Sequence, residues 1–249
     1  GAFSTGEAYR VSGTDKIAEK LGVSLVNLNI DNYRDVPVKN AYVMDTVKIA
    51  ETALNSDVII SVPVLKSHVR TLSTISLKNM KGVMPGDEKR KTHAMGLDKG
   101  IADLISLVKP QYTIIDAITV MQGTWEPEDR VELNLVLAGS CPYATDTLGT
   151  ALIGFDPEKV MHLTYSMQKE NVHVGLDDIA VVGESFSDKQ VQLKTGFEVF
   201  RERYPKTTII EGKSSCTGCM GELIGSFFHV RDAGFGKTLH GLTVVMGSP

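Results

Sequence analysis

Apolar positions along this chain come in short runs, and most of those runs are separated by stretches with helical spacing. Ser4 to Arg10 and Thr14 to Leu21 read as helices, the first opened by a hydroxyl cap and the second stopped at Gly22. Val23 to Asn29 alternates and predicts a strand, with a second extended stretch from Ala41 to Ile49 closing a hairpin through Pro37 to Asn40. Val58 to Val62 is apolar almost throughout, as in strands buried on both faces. Lys66 to Thr92 has no clean period and predicts a loop. Beyond it the pattern predicts helices over Ile101–Val108, Tyr143–Ile153, Pro157–Gln168, Gly196–Arg203 and Gly221–Val230. It predicts strands over Tyr112–Ile118, Leu133–Leu137, Ile179–Gly183, Thr207–Ile210 and Leu242–Met246. Strands alternating with helix-length segments call for crossover connections. The expected fold is therefore α/β: a mostly parallel sheet, or sheets, with helices on both faces. Residues 1–249 read as one domain, and the alternative is two fused lobes meeting in the polar stretch from Gly123 to Arg130.

Composition narrows the partners. A hydrophobic fraction of 42% and a charged fraction of 22% are those of a globular chain. The net charge of -4 argues against a nucleic-acid binder. No apolar run reaches the length of a membrane span. The start shows no signal-peptide pattern, although it opens at Gly1 and suggests a trimmed chain. The three cysteines, Cys141, Cys216 and Cys219, are too few for a disulfide framework and point to a reducing cytoplasm.

Three groups of residues carry chemistry. The first combines Lys66 and His68 with Lys78, Lys81 and His93, directly after the apolar strand at Val58–Val62. Loops leaving the carboxyl ends of parallel strands share a crevice, where ammonium and imidazole groups bind an anion, shuttle protons or hold a metal. A solvated basic loop is the competing reading. Within it, Asp87 to Lys91 is the expected lid. The second group is Cys216-Thr217-Gly218-Cys219 at a helix start, where the positive helix end favours thiolates. Zinc, iron–sulfur clusters and disulfide exchange all need thiolates, and two such ligands are half a site. The third group is acidic: Asp116 at a strand end, Asp146 in a helix, and Glu126, Glu128 and Asp129 in a loop. Asp116 is the expected ligand at the rim of the cleft; the structural alternatives are that Asp116 caps a following turn and Asp146 pairs with a lysine. His162 and His240 read as packed or exposed rather than catalytic.

These residues, in this order, resemble the domain-of-unknown-function family 362, whose members often occur with ferredoxin-like iron–sulfur modules. The resemblance rests on Asp57-Val58-Ile59-Ile60 with Pro63, Leu65-Lys66-Ser67-His68, and Leu77-Lys78-Asn79-Met80-Lys81-Gly82. It continues through His93, Ile101-Ala102-Asp103-Leu104, Ile114-Ile115-Asp116-Ala117-Ile118 with Gly123, and Asp146 before Gly154-Phe155-Asp156-Pro157. Thr124-Trp125-Glu126-Pro127 and Cys141-Pro142 depart from the family's usual loops. A fainter similarity is to the nickel-dependent lactate racemases, through His68, Lys81 or Lys78, the Pro85-Gly86 turn and His93.

Beside a non-enzymatic reading as a thiol-based metal-binding or assembly module, two functions are thereby expected. One is a cytoplasmic protein of redox metabolism, associated with an iron–sulfur cluster or zinc at Cys216 and Cys219, with a ferredoxin-type module as partner. It would also have a Lys/His-lined site for a small anionic ligand. The other is a metal-free enzyme that moves a proton on a small carboxylate or phosphorylated substrate. Neither nucleic acid nor membrane is expected as a partner.

Overall fold

The computed structural model describes residues 4–123, 126–215, 217–239 and 241–248. The chain begins with helices α1 (Thr5–Ser12) and α2 (Thr14–Leu21), then hairpin strands β1 (Tyr33–Pro37) and β2 (Thr46–Ala50), and the short α3 (Glu51–Leu54). Next come β3 (Ile60–Ser61), β4 (Val64–His68), β5 (Leu72–Thr74), the single turn α4 (Ser76–Asn79) and the long α5 (Gly86–Ile105). Two long strands, β6 (Tyr112–Met121) and β7 (Arg130–Gly139), precede α6 (Pro142–Leu152) and α7 (Met161–Glu170). The remainder is α8 (Phe186–Lys189), α9 (Gly196–Arg203), β8 (Thr208–Glu211), α10 (Thr217–Val230) and β9 (Thr243–Met246).

The expected α/β class holds, with helices packed around the sheets. In the largest sheet β6 is central: β3 and β4 run parallel along one side of it, and β7 pairs antiparallel on the other. β5 extends the sheet antiparallel from β4, and β8 pairs parallel with β9 in a separate two-stranded sheet. Val62 and Pro63 interrupt what would otherwise be one strand from Ile60 to His68, because proline has no N–H for the ladder. Leu65, Ile115, Ala117 and Val120 form the buried row of this sheet and pack with Leu152 and Ile153 from the end of α6. Gly149 lets α6 approach: a Cβ there would lie 2.9 Å from Ile75 Cδ1.

Several expectations need correction. The apolar runs are not buried on consecutive positions. Alternation turns Ile60, Val62, Val64, Ile114, Ile118 and Val136 away from α6, and these are 40–61% exposed. Val23 to Asn29 forms no strand, since the hairpin pairs β1 with β2 and leaves that segment no partner edge. Ile179 to Gly183 forms none either, with Val182 almost fully exposed and Gly183 at φ +104°. The expected loop from Lys66 to Thr92 is largely regular: it contains β4, β5, α4, a 3-10 turn over Met80–Val83, and the first turns of α5. Asp87 to Lys91 is therefore helical rather than a loose lid, with buried Glu88 paired to Lys91.

Three apolar clusters hold the chain. One packs β2, α4 and the second half of α5 around Ile49, Leu77, Ile101 and Leu104. A second lies under β4, β6 and α6. A third joins α9, α10 and β9 through Phe200, Tyr204, Phe227 and Met246, and reaches Val69 just past β4. That last link depends on close approach, for a Cβ on Gly196 would lie 2.7 Å from both the Gly123 carbonyl and Val69.

Candidate functional site

The cationic residues picked out from the sequence sit on different elements and meet at the end of β4. His68 is the last residue of that strand, and the chain then turns back into β5 with Leu72 at φ +60°. In this turn the backbone N–H groups of Arg70 and Thr71 both donate to His68 Nδ1, each at 3.2 Å. An imidazole nitrogen that accepts cannot also carry a hydrogen, so the neutral ring holds its proton on Nε2. Burial, reinforced by Lys78, His162, Lys66 and His93, pushes the His68 pKa down to about 2. With Nδ1 occupied, the neutral His68 ring presents Nε2–H as its donor.

Lys78 is brought to the same turn by α4. This helix is one turn long, too short to be stable alone, and is held by side chains from elsewhere. Asp146 of α6 accepts from the backbone N–H groups of Ser76 (2.9 Å) and Leu77 (3.0 Å), occupying donors that the helix start leaves unmatched. Asp146 is therefore a cap across the fold and not a lysine partner. Burial pushes its pKa up to about 7, while both N–H bonds pull it down. Ser76 Oγ lies 2.7 Å from Thr113 Oγ1, and Asn79 Nδ2 donates to Ser61 Oγ at 3.1 Å, which ties α4 to β6 and β3. So fixed, Lys78 Nζ donates to Thr71 Oγ1 at 2.7 Å, and that hydroxyl donates onward to the Ser73 carbonyl. Thr71 therefore anchors both His68 and Lys78.

The cluster is buried and rich in cationic side chains. His68, Lys78 and Lys81 are each less than a tenth exposed. Burial, then Lys81, holds Lys78 well below the ordinary lysine value, with Asp98 acting in the opposite sense. Burial, then Lys89, lowers Lys81 to about 8, and its ammonium donates to the Lys89 carbonyl at 3.4 Å. His93 is lowered to about 4 by burial, then Lys81 and Lys78. Burial also lowers Lys66, whose charge reaches both His68 and Lys78. Lys66, His68, Lys78, Lys81 and His93 are thus brought within electrostatic reach of one another.

Two further residues belong here: Asp98, which the sequence did not single out, and His162, which it placed as packed or exposed. His162, on α7, is 1% exposed, and its Nδ1 lies 3.4 Å from Asp98 Oδ1 on α5. It feels Lys78 and is felt by His68. A buried ion pair sets this contact. Asp103 accepts backbone N–H bonds from Tyr42, Val43 and Met44 and receives Lys169 Nζ at 2.7 Å, locking α7 to α5. Between His93 and Asp98 the helix breaks at Gly96, with φ +125°, which allows both halves of α5 to face the pocket. Nothing in the local sequence marks His162, which follows Met161 on an ordinary helical stretch; only the packing of α7 on α5 reveals it.

Other expected positions lie apart. Asp116 is not at a strand end but midway along β6, paired with Val64 and Val136. Its Oδ1 accepts the Ile118 N–H, and alternation puts it on the row of Ile114 and Ile118 rather than the buried row. No described contact joins it to Lys78 or His93. Glu128 and Asp129 pair with Arg203, and Glu126 with Arg231, so these acids fasten their loop to the helices around it. Cys219 is half-buried in the first turn of α10, while Cys216 and His240 lie outside the described residues. Among the described residues no three His, Cys, Asp or Glu side chains converge as metal ligands. Cys141 starts α6, beside a cavity of about 600 Å³ between β7 and residues 178–186.

A family model described as domain of unknown function (DUF362) matches residues 1–151. A thylakoid-associated protein of Synechocystis sp. is 27% identical over 120 residues, which is 45% of this chain and 37% of that protein. The chain thus spans little more than a third of that relative's length. No solved structure matches the chain at a significant level. Among the described residues, no helix is long and apolar enough to cross a membrane.

Proposed function

The chain belongs to the DUF362 family, and from that premise we propose that its chemistry is proton transfer on a small anion, a carboxylate or a phosphate ester, held by the lysine cluster at the end of β4. The observation that carries this reading is the double anchoring on Thr71: His68 Nδ1 takes its N–H, and Lys78 Nζ is held by its hydroxyl. Burial and neighbouring cations disfavour the ammonium form of Lys78, and a lysine so placed serves as a base or nucleophile. A neutral imidazole that offers only N–H polarises a carbonyl or carboxyl oxygen without giving up its own proton. Lys78 takes the proton in this scheme, His68 Nε2–H stabilises the oxygen on which charge develops, and Lys81 and Lys66 attract the anion. Lys81, with a pKa of about 8, is mostly charged at pH 7, and an anion would offset the cost of burying it.

A cluster or zinc at Cys216 and Cys219, with a ferredoxin-type partner and a redox setting, is a separate proposal. Of that pair, Cys219 lies among the described residues, half-buried in the first turn of α10. A cytoplasmic location likewise remains a proposal, the Synechocystis relative being named for its association with thylakoids.

The test is calorimetry with phosphate and small carboxylates, followed by proton NMR of the bound compounds in D₂O. Binding should weaken in Lys81→Met. Deuterium should wash into a substrate carbon in the parent protein and not in Lys78→Met. If no anion binds, or if wash-in survives Lys78→Met, the reading is wrong.

A further inference from the structure

One face of the largest sheet packs on α6 through Leu65, Ile115, Ala117 and Val120, while the opposite row of side chains is left open. The strand register makes that row continuous: Ile60 lies beside Tyr112, Val64 beside Asp116, and Asp116 beside Val136. Alternation along β6 adds Ile114 and Ile118. Ile60, Val64, Tyr112, Ile114, Ile118 and Val136 are each 40–59% exposed. Together they leave roughly 600 Å² of apolar side chain open, as much as the largest patch on a typical lone chain. Parallel strands ordinarily bury both faces.

The same chain carries a second unmatched surface. α1 buries none of its residues and α2 buries only Ala18. Ile17 and Leu21, one turn apart on α2, form an apolar stripe and are 56% and 66% exposed. Val23 is drawn back over the helix end, where its N–H donates to the Ala18 carbonyl at 3.1 Å, and it too is exposed. Lys20, three residues after Ile17, flanks the stripe. Helices of this length are marginal without a packed face. Polar bonds from Asn29 to Thr5 and from Lys89 to Asn29 hold this pair of helices beside the start of α5, with the stripe outward.

We propose that the protein is a dimer in which α2 of each copy lies across the open sheet face of the other, its Lys20 meeting the carboxylate of Asp116. Each surface supplies what the other lacks. The face is apolar with one carboxylate, Asp116, set between Val64 and Val136; the stripe is apolar with an ammonium at its side. Two open faces meeting directly would instead enclose two Asp116 carboxylates in one apolar interface, at a high desolvation cost. A helix is also the ordinary cover for a sheet of this class. The exchange is reciprocal about a two-fold axis. Two faces and two stripes together reach the ~1,600 Å² that a standard interface buries.

Sedimentation equilibrium on the full chain tests this, with circular dichroism confirming that each variant is folded. The parent should be a dimer at micromolar concentration. Ile17→Glu with Leu21→Glu spoils the stripe, and Ile114→Glu spoils the face; all three positions are exposed. Either variant alone should raise the dissociation constant at least about tenfold. Mixed together, the two retain one good contact, the stripe of one on the face of the other, so the mixture should associate more tightly than either variant by itself. A second measure leaves the apolar surfaces untouched: Asp116→Lys should weaken the dimer, and adding Lys20→Glu should restore it. A monomeric parent, which would leave the face to some other molecule, overturns the proposal. So does a dimer that survives the stripe variant, as sheets meeting face to face would. Variants that gain nothing on mixing, or a charge exchange that restores nothing, overturn it equally.

Discussion

Replacing Lys81 by Met should make the protein more stable at neutral pH, an outcome opposite to that of most core substitutions. Lys81 is 9% exposed, its stem lies in the protein interior, and its ammonium has one long bond, 3.4 Å, to the Lys89 carbonyl. Its pKa falls from the ordinary 10.5 to about 8. That difference corresponds to about 3 kcal/mol by which folding disfavours the charged form. The sign follows from linkage. Between pH 8 and 10.5 the unfolded chain binds the proton and the folded chain does not, so stability rises with pH through that window. Below pH 8 both states are charged, and the whole cost is present. Met keeps the length of the stem and removes the charge, giving up at most about 1 kcal/mol for the long hydrogen bond. A net gain of roughly 2–3 kcal/mol is expected at pH 7, which is about 4–12 °C in Tm for a chain of this size. Urea unfolding of both proteins at pH 7, 8, 9 and 10 measures it, and the gap between them should close as the pH rises. A variant less stable than the parent at pH 7, or a gap indifferent to pH, would refute the reasoning. The stability gained should come with weaker anion binding, as expected where a site is held in an unfavourable state for function.

Acid should act through the imidazoles. His93 falls from 6.5 to about 4 in the fold, so its contribution is intact above pH 6.5 and is lost as pH falls toward 4. His93 is half-buried, so solvent screening brings the effect down to about 1–2 kcal/mol, and His93→Gln should flatten this part of a stability-against-pH curve measured by circular dichroism. Asp146→Ala leaves the Ser76 and Leu77 N–H groups buried without acceptors, and should cost about 2–5 kcal/mol in denaturant unfolding. It should also displace Lys78, so that phosphate affinity falls along with stability. For the thiols, metal analysis of anaerobically purified protein should find iron or zinc that drops in Cys219→Ser; equal content in both proteins would remove Cys219 as a ligand.

Much of the fold was legible because periodicity is a local property. Gly196–Arg203 has its capping box from Thr195 to Glu198 written in the chain, and the predicted span is the observed helix. Pro142 at the first turn of α6 marked that helix in the same way. What failed depended on partners. Val23 to Asn29 and Ile179 to Gly183 have strand-like patterns, but a strand exists only where another edge accepts its hydrogen bonds. The run from Lys66 to Thr92 lacked a period because it changes element every few residues, and its short helix α4 is held by Asp146 from 70 residues away. No window of local sequence contains that cap.

The site divides along the same line. Lys66, His68, Lys78, Lys81 and His93 were visible as a concentration of cations and imidazoles after an apolar strand, and burial brings them together at the end of β4. Their chemistry was not visible. Composition shows a histidine but not which nitrogen bears its proton, and that depends on Arg70 and Thr71 turning their N–H groups onto Nδ1. His162 and Asp98 are 64 residues apart in sequence and meet only because Lys169 and Asp103 clamp α7 onto α5. Asp103 is the instructive case. It touches none of the pocket lysines in any described contact, yet it satisfies three backbone N–H groups and one ammonium with a single fully buried carboxylate. Removing it would loosen the two helices that set the His162–Asp98 distance. The His162–Asp98 contact is thus maintained by a residue whose own role is packing.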